Sequence, residues 1–259
     1  MPEAKSHPKR ANILGVNVSA INMRQALKTI HTWIANRDPH YVCVTPAHSI
    51  MDCYRNPELR PIFNGSGLTT PDGMSMVWIL RMLGHQHVER VYGPDLMQAL
   101  CQVSQEYGYR HYFYGGAPGV VDELESELQT IYPELEIAGH YTPPFGPVTP
   151  EEEEKIIAHI RSVKPDVLWV GISSPRQEVW MAEHLGVLEV PALIGVGAAF
   201  DFLSGRKRQA PRWIQRSGLE WIYRFLSEPK RLWRRYAQYP LFVILLLAQA
   251  TGLKKFPSE

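Results

Sequence analysis

Cysteine is scarce in this chain: Cys43, Cys53 and Cys101 are the three it has, with no CxxC pair and no metal-ligand spacing. That excludes a disulfide-stapled fold and predicts buried thiols in a reducing compartment. The ten histidines, His85 and His87 among them, form no HExxH or other ligand pattern, so no metal site is expected. Long hydrophobic runs are missing as well. The strongest, "YPLFVILLLAQATGL" (Tyr239 to Leu253), falls short of the ~20 apolar residues that cross a bilayer as a helix. The opening "MPEAKSHPKR" is polar and carries no secretory pattern, so residues 1–10 are expected to be a disordered tail and the body cytoplasmic. No solenoid-period repeat is present. No strand–GxGxxG–helix unit opens the chain, where "NVSAIN" follows the first strand-like run, and this disfavours an NAD-type dehydrogenase. RNP, KH and helix-turn-helix patterns are absent, so nucleic acid is not an expected partner.

What is present describes an ordinary globular protein: 259 residues, 45% hydrophobic and 20% charged. "NILGVNV" reads as a strand or hairpin, and Ala26, Leu27, Ile30, Trp33 and Ile34 follow at helical spacing. Strand-like runs "HYVCVT", "GLTT", "RHYFYG", "LEIAGHY", "DVLWVG" and "PALIG" then alternate with amphipathic helices, and "YTPPFGPVT" reads as a Pro/Gly loop. This order predicts an α/β fold, a Rossmann-like and mostly parallel sheet flanked by helices. The strand pattern stops near Gly205. We therefore expect a Rossmann-like domain over residues 1–204 and a basic, aromatic helical appendage over 205–259, its first helix opening at Pro211.

Ligands of open parallel sheets bind beyond the carboxyl ends of the strands. In "YGGAPG", Gly115 and Gly116 let backbone approach a phosphate at a helix start, or simply make a tight turn. In "GISSPRQEVW", Arg176 is suited to neutralise phosphate, and Gln177 and Glu178 to hydrogen-bond a base or sugar; the alternative is a solvated helix start. "IGVGAAFDFLSG" offers Gly195, Gly197 and Asp201, and "TPAHS" offers Thr45 and His48 in a loop. Arg90 in "ERVYGPDL" is either an anion binder or half of a surface ion pair. In "TTPDGMSMVW", Asp72 between Pro71 and Gly73 reads as a turn former, as a helix N-cap, or as a reactive acid at the rim of the sheet.

Taken in order, "TTPDGMSMVW", "ERVYGPDLM", "YFYGGAPG", "SSPRQEVW", "GVGAAFDFLSG", "APRWIQRSGLEWIYRF" and "EPKRLWRRY" resemble the bacterial WecG/TagA/CpsF glycosyltransferases over nearly the whole chain. The resemblance implies inverting transfer of a sugar, N-acetylmannosamine or its uronic acid, from a UDP-sugar to a polyprenyl-diphosphate-linked acceptor. It implies Asp72 as the base that takes the acceptor proton, Arg90 in the pocket, and Arg224, Arg231 and Arg234 of the appendage closing over the diphosphate. No DxD motif stands out, so arginine and backbone N–H groups rather than a metal are expected to stabilise the leaving UDP, with no cofactor. Two positions depart from the family pattern. Pro46 stands where Asn is frequent, leaving Thr45 the polar role, and Ser174 or Ser173 stands where Gly is frequent in a "GxPxQE" loop. These departures keep open a second class, a non-catalytic nucleotide-sugar-binding scaffold in a polysaccharide assembly.

The net charge of +1 conceals a basic stretch. From Arg206 to Arg235 there are ten Lys or Arg against Glu220 and Glu228, interleaved with Trp213, Trp221, Tyr223, Trp233 and Tyr236. Such a segment, followed by "PLFVILLLA", is expected to lie on an anionic membrane surface at the inner face of the cell membrane, or else to pack on the domain or a subunit partner. The family resemblance also allows a homo-oligomer.

Overall fold

A computed structural model describes residues 8–144, 146 and 148–258. Residues 1–7 of the expected tail, and Phe145 and Pro147 of the expected Pro/Gly loop, lie outside the described residues. The tail is shorter than expected at its other end, because Arg10 already begins a strand and donates to the Asn64 and Gly67 carbonyls at 2.9 and 2.8 Å.

The chain divides into two compact units, each discontinuous in sequence. The first gathers residues 1–26, 44–92 and 210–259. It opens with an antiparallel hairpin of β1 (Arg10–Ile13) and β2 (Val16–Ser19). α2 (Ala47–Arg55), α3 (Leu59–Gly65), β4 (Leu68–Pro71) and α4 (Met74–Met82) follow. It is completed by α10 (Arg212–Arg216), α11 (Glu220–Ser227), α12 (Pro229–Tyr236) and α13 (Tyr239–Ala250). Its core holds Ile13, Leu14, Ile50, Met51, Phe63 and Leu68 with essentially no exposure. Two local expectations need correction. "TPAHS" is no loop, since α2 starts at Ala47, directly after Pro46. "PRWIQRSGLEWIYRFL" is two helices, broken at Ser217–Gly218, and Pro211 caps the first from outside rather than opening it.

The second unit gathers residues 27–43 and 93–209. It contains most of α1 (Met23–Asn36) and of β3 (His40–Thr45), then α5 (Gly93–Tyr107), β5 (Arg110–Gly115), α6 (Val120–Ile131) and β6 (Glu136–Tyr141). α7 (Pro150–Val163), β7 (Val167–Gly171), α8 (Arg176–His184), β8 (Ala192–Gly195) and α9 (Ala199–Leu203) complete it. Apart from the hairpin, the six other strands among the described residues form one sheet in the order β4-β3-β8-β7-β5-β6. The pairs β3–β8, β8–β7, β7–β5 and β5–β6 are all parallel, the α/β architecture that alternating strands and helices predict. β7 is buried along Val167–Val170, as a strand covered on both faces must be.

The strand ends are packed very closely. Gly115 holds φ +124°, and a Cβ there would meet the Gly171 carbonyl group at 2.6 Å. Any side chain would drive β5 and β7 apart, so glycine is required here by the sheet itself.

Candidate active site

In the first unit the sheet delivers Asp72 in a fixed place. Its N–H donates to the Thr45 carbonyl at 3.2 Å, and one residue earlier the Pro71 carbonyl accepts from Val91 N–H at 3.0 Å. Gly73 then turns the chain with φ +92°, and its carbonyl accepts the Met76 and Val77 N–H groups that start α4. Gly73, not Asp72, is therefore the helix cap, and the Asp72 carboxylate is engaged elsewhere. Arg90 donates to Asp72 Oδ1 from Nε at 3.2 Å and from Nη2 at 3.1 Å. The two side chains are 14% and 13% exposed, which removes the surface-pair alternative and places the ion pair where charges interact strongly.

The appendage closes a ring around this pair. Arg90 Nη1 donates to Gln215 Oε1 at 3.2 Å, and Arg90 Nη2 lies 2.7 Å from Glu220 Oε2. Glu220 Oε1 is 2.6 Å from Nη2 of Arg224, which donates to the Tyr92 hydroxyl at 3.0 Å. The Arg90 guanidinium also sits 3.9 Å from the Tyr92 ring centroid, a cation–π contact. Burial alone would lower the Arg90 pKa, but the Asp72 and Glu220 carboxylates outweigh it and raise the value. Burial likewise opposes the charge of Arg224, and its surroundings, Tyr92 and Glu220 foremost, raise its pKa above the usual value. Both stay cationic. Tyr92 is held a neutral phenol, burial pushing its pKa up more strongly than Arg224 pulls it down.

Beside this ring, at the start of α2, His48 has its pKa lowered well below the ordinary value by burial and then by Arg235 and Arg224. It is a neutral imidazole near neutral pH. Asp52, one turn further along α2, is raised by burial, with Arg235 and Arg55 acting against the shift. Thr45 is buried. Of the other appendage arginines, Arg231 is exposed and pairs with Glu228, the residue between α11 and α12. Arg234, also exposed, stands 5.5 Å from the Trp233 ring centroid.

The strand ends of the second unit are held by each other. Gly116 N–H donates to the Gly171 carbonyl at 3.1 Å, so the "YGGAPG" turn is fastened to β7. Arg176, Gln177 and Glu178 lie in the first turn of α8 rather than in a loop. Arg176 is exposed, whereas Gln177 and Glu178 are buried. Gln177 Oε1 accepts Gly197 N–H at 3.0 Å and its Nε2 donates to Glu178 Oε1 at 2.9 Å, a bridge from α8 to the end of β8. Asp201 pairs with Lys207 at 2.8 Å. Ser173 holds φ +72°, the left-handed region that favours glycine, so Ser173 and not Ser174 is the position standing for the frequent Gly.

A sequence profile of the Glycosyl transferase WecG/TagA/CpsF family matches residues 11–256. The chain belongs to that family. It is 26% identical over 255 residues, 98% of each chain, to a protein of Staphylococcus aureus (strain MW2) named N-acetylglucosaminyldiphosphoundecaprenol N-acetyl-beta-D-mannosaminyltransferase. A Bacillus spizizenii protein of the same name is 30% identical over 196 residues, 76% of this chain and 74% of its own. The seven sequence motifs supply Asp72, Arg90 and Arg224, which the fold brings into one cluster of hydrogen bonds and ion pairs. Sequence reasoning missed the rest of that ring and its neighbour: Tyr92, Gln215, Glu220 and Arg235. Two signals were available. Tyr92 follows Arg90 at strand spacing, and Glu220 precedes Arg224 by four on a helix.

Proposed function

We propose that this glycosyltransferase inverts the anomeric centre as it moves an N-acetylmannosamine-type sugar from a UDP-sugar to a polyprenyl-diphosphate-linked acceptor in cell-surface polysaccharide synthesis. It works without a cofactor or an obligatory divalent metal. The observation that carries this reading is the Asp72 carboxylate, mostly buried just after β4 and oriented by Arg90, in a chain whose relatives bear the names given above.

In this reading the acceptor hydroxyl gives its proton to Asp72 as its oxygen attacks the anomeric carbon. The carbon–oxygen bond to the diphosphate breaks, and the electron pair leaves with UDP. Cationic Arg90 and Arg224 stabilise phosphate charge, with Arg231 and Arg234 exposed on the neighbouring helix to add to them. Thr45 keeps a polar role beside the base. We assign the nucleotide to Gly115, Gly116, Arg176, Gln177, Glu178, Gly197 and Asp201. Within that set, Gly115, Gln177 and Glu178 shape the strand ends, and exposed Arg176 is the group most available to a phosphate.

The acceptor is lipid-linked, and we place the enzyme peripherally on an anionic membrane at its cytoplasmic face. Trp213, Trp221, Leu226 and Trp233 are exposed among the appendage arginines, which supports this placement. Among the described residues no helix is long and apolar enough to cross a membrane. Exposed Trp78, Met82 and Leu83 on and after α4 support self-association as part of the same proposal.

The test is UDP release from a panel of UDP-sugars with a polyprenyl-diphosphate-GlcNAc acceptor and EDTA, for wild type and Asp72→Asn. We expect acceptor-dependent release by wild type and a loss of about 10²–10⁴-fold in the variant, the range for removing a general base, with UDP binding kept. Wild-type-like turnover by Asp72→Asn would remove the base assignment.

A further inference from the structure

The ring around Arg90 contains two guanidinium groups and two carboxylates, a formally neutral set. Asp72 belongs there as the proposed base. Glu220 has no such task, yet its two oxygens span the gap between Arg90 and Arg224 at 2.7 and 2.6 Å, as two oxygens of a phosphate ester would. It reaches this place from the first residue of α11, a helix with no buried residue along Glu220–Ser227. An element anchored so lightly can withdraw one side chain without opening a core.

Resting on the transferase reading above, we propose that Glu220 is a resident counter-ion that occupies the seat of the substrate's diphosphate and leaves it when that diphosphate arrives. The charge balance requires a departure. A diphosphate ester carries about two or more negative charges, and adding it to a mostly buried set already at zero places uncompensated charge in a poorly solvated site. Exchanging one carboxylate for the diphosphate keeps both guanidinium groups paired. While Glu220 is in place, its two oxygens also hold Arg90 and Arg224 on either side of the seat, ready for a phosphate. The diphosphate belongs to the nucleotide or to the lipid; the chemistry at the seat is common to both.

The experiment measures binding of UDP and, separately, of farnesyl diphosphate to the full chain by calorimetry, for wild type, Glu220→Gln and Glu136→Gln. Glu136 is an exposed carboxylate at the start of β6, 3.9 Å from Arg110, and serves as the control for loss of one negative charge. Glu220→Gln should bind the seated ligand about five- to tenfold more tightly, somewhat less than the full worth of a charge-assisted hydrogen bond, while Glu136→Gln stays within about twofold. Whichever ligand gains identifies the source, and a gain for both marks a shared seat. Should wild type bind either ligand and Glu220→Gln bind it equally or more weakly, Glu220 is a clamp; the proposal fails and the transferase reading stands. If neither ligand binds to folded wild type or folded variant, both readings fall. Amide hydrogen exchange on the wild type supplies a second measure that needs no variant. Saturating ligand should speed exchange along Glu220–Ser227, and slower or unchanged exchange there would overturn the displacement.

Discussion

Arg90 uses all three guanidinium nitrogens, and its partners come from stretches of sequence more than a hundred positions apart, Asp72 on one side and Gln215 and Glu220 on the other. That explains how much of the site could be read from residues alone. "PDG" and "ERVYG" advertise an acid and a cation next to turns, and the family motifs add Arg224. Nothing local tells that Glu220 reaches Arg90, or that Arg235 rather than Arg234 is the arginine felt by His48 and Asp52. A second residue-scale device lies far from this chemistry. Trp169 Nε1 donates to His111 Nδ1 at 2.8 Å, and His111 Nε2 lies 2.8 Å from Ser104 Oγ, which donates to the Leu100 carbonyl at 2.7 Å. With Nδ1 an acceptor, the proton sits on Nε2 and the chain of bonds is complete. Burial pushes the His111 pKa down to about 3. A depressed folded-state value means that the neutral form stabilises the fold above the unfolded value of about 6.5. That contribution is lost as pH falls from there towards 3, on the order of a few kcal/mol in all. Urea midpoints across this window should drop for wild type and drop less for His111→Gln.

α13 shows what an apolar run becomes once it is placed. "YPLFVILLLAQA" is hydrophobic nearly all round, and the sequence left membrane contact and packing as alternatives. The helix does pack: Phe242 and Leu245 are buried, Gln249 Oε1 accepts Leu14 N–H at 2.9 Å, and Gln249 Nε2 donates to the Asn12 carbonyl at 3.0 Å. The segment after it is tied to the same region, the Phe256 carbonyl accepting from Asn12 Nδ2 at 3.0 Å. Yet Val243, Ile244 and Leu247 remain exposed on its other side. The two faces should therefore separate by mutation. Gln249→Ala leaves partly buried hairpin groups without partners and should cost about 1–3 kcal/mol in denaturant unfolding. Changing Val243, Ile244 and Leu247 together to Ser should leave stability within about 1 kcal/mol, since exposed positions carry little of it. An equal loss in both would mean that the outer face is covered in solution. Among the connections, α2 beginning directly after Pro46 was hidden because a Thr-Pro pair reads as the end of order, although proline's fixed φ also suits the residue before a helix.

Across the whole molecule, basic charge is the feature that folding redistributes most. Of the ten cations between residues 206 and 235, Arg206 is paired with Glu123 and Lys207 with Asp201 in the second unit, and Arg224 is taken into the ring of the first. Exposed Arg216, Lys230 and Arg234, with Trp213 and Trp233 near them in sequence, are the cations left for the proposed anionic surface. Cosedimentation with vesicles containing anionic lipid should therefore fall as salt rises from 0.05 to about 0.5 M, as the Debye length shrinks. The triple Ser variant of α13 should bind less at every salt concentration; binding independent of both would remove the membrane assignment. The sequence by itself determined the α/β class, because a parallel sheet writes its strands as apolar runs separated by helical periods. It also determined the family, because seven motifs stand in order. Only the tertiary structure decided how the chain divides. Residues 210–259 join 1–26 and 44–92 in one compact unit, where the linear reading placed a boundary at 204. It alone set Glu220 between two arginines as well. Both outcomes rest on contacts between residues far apart in the chain, and no local period or motif encodes which distant surface a helix will cover.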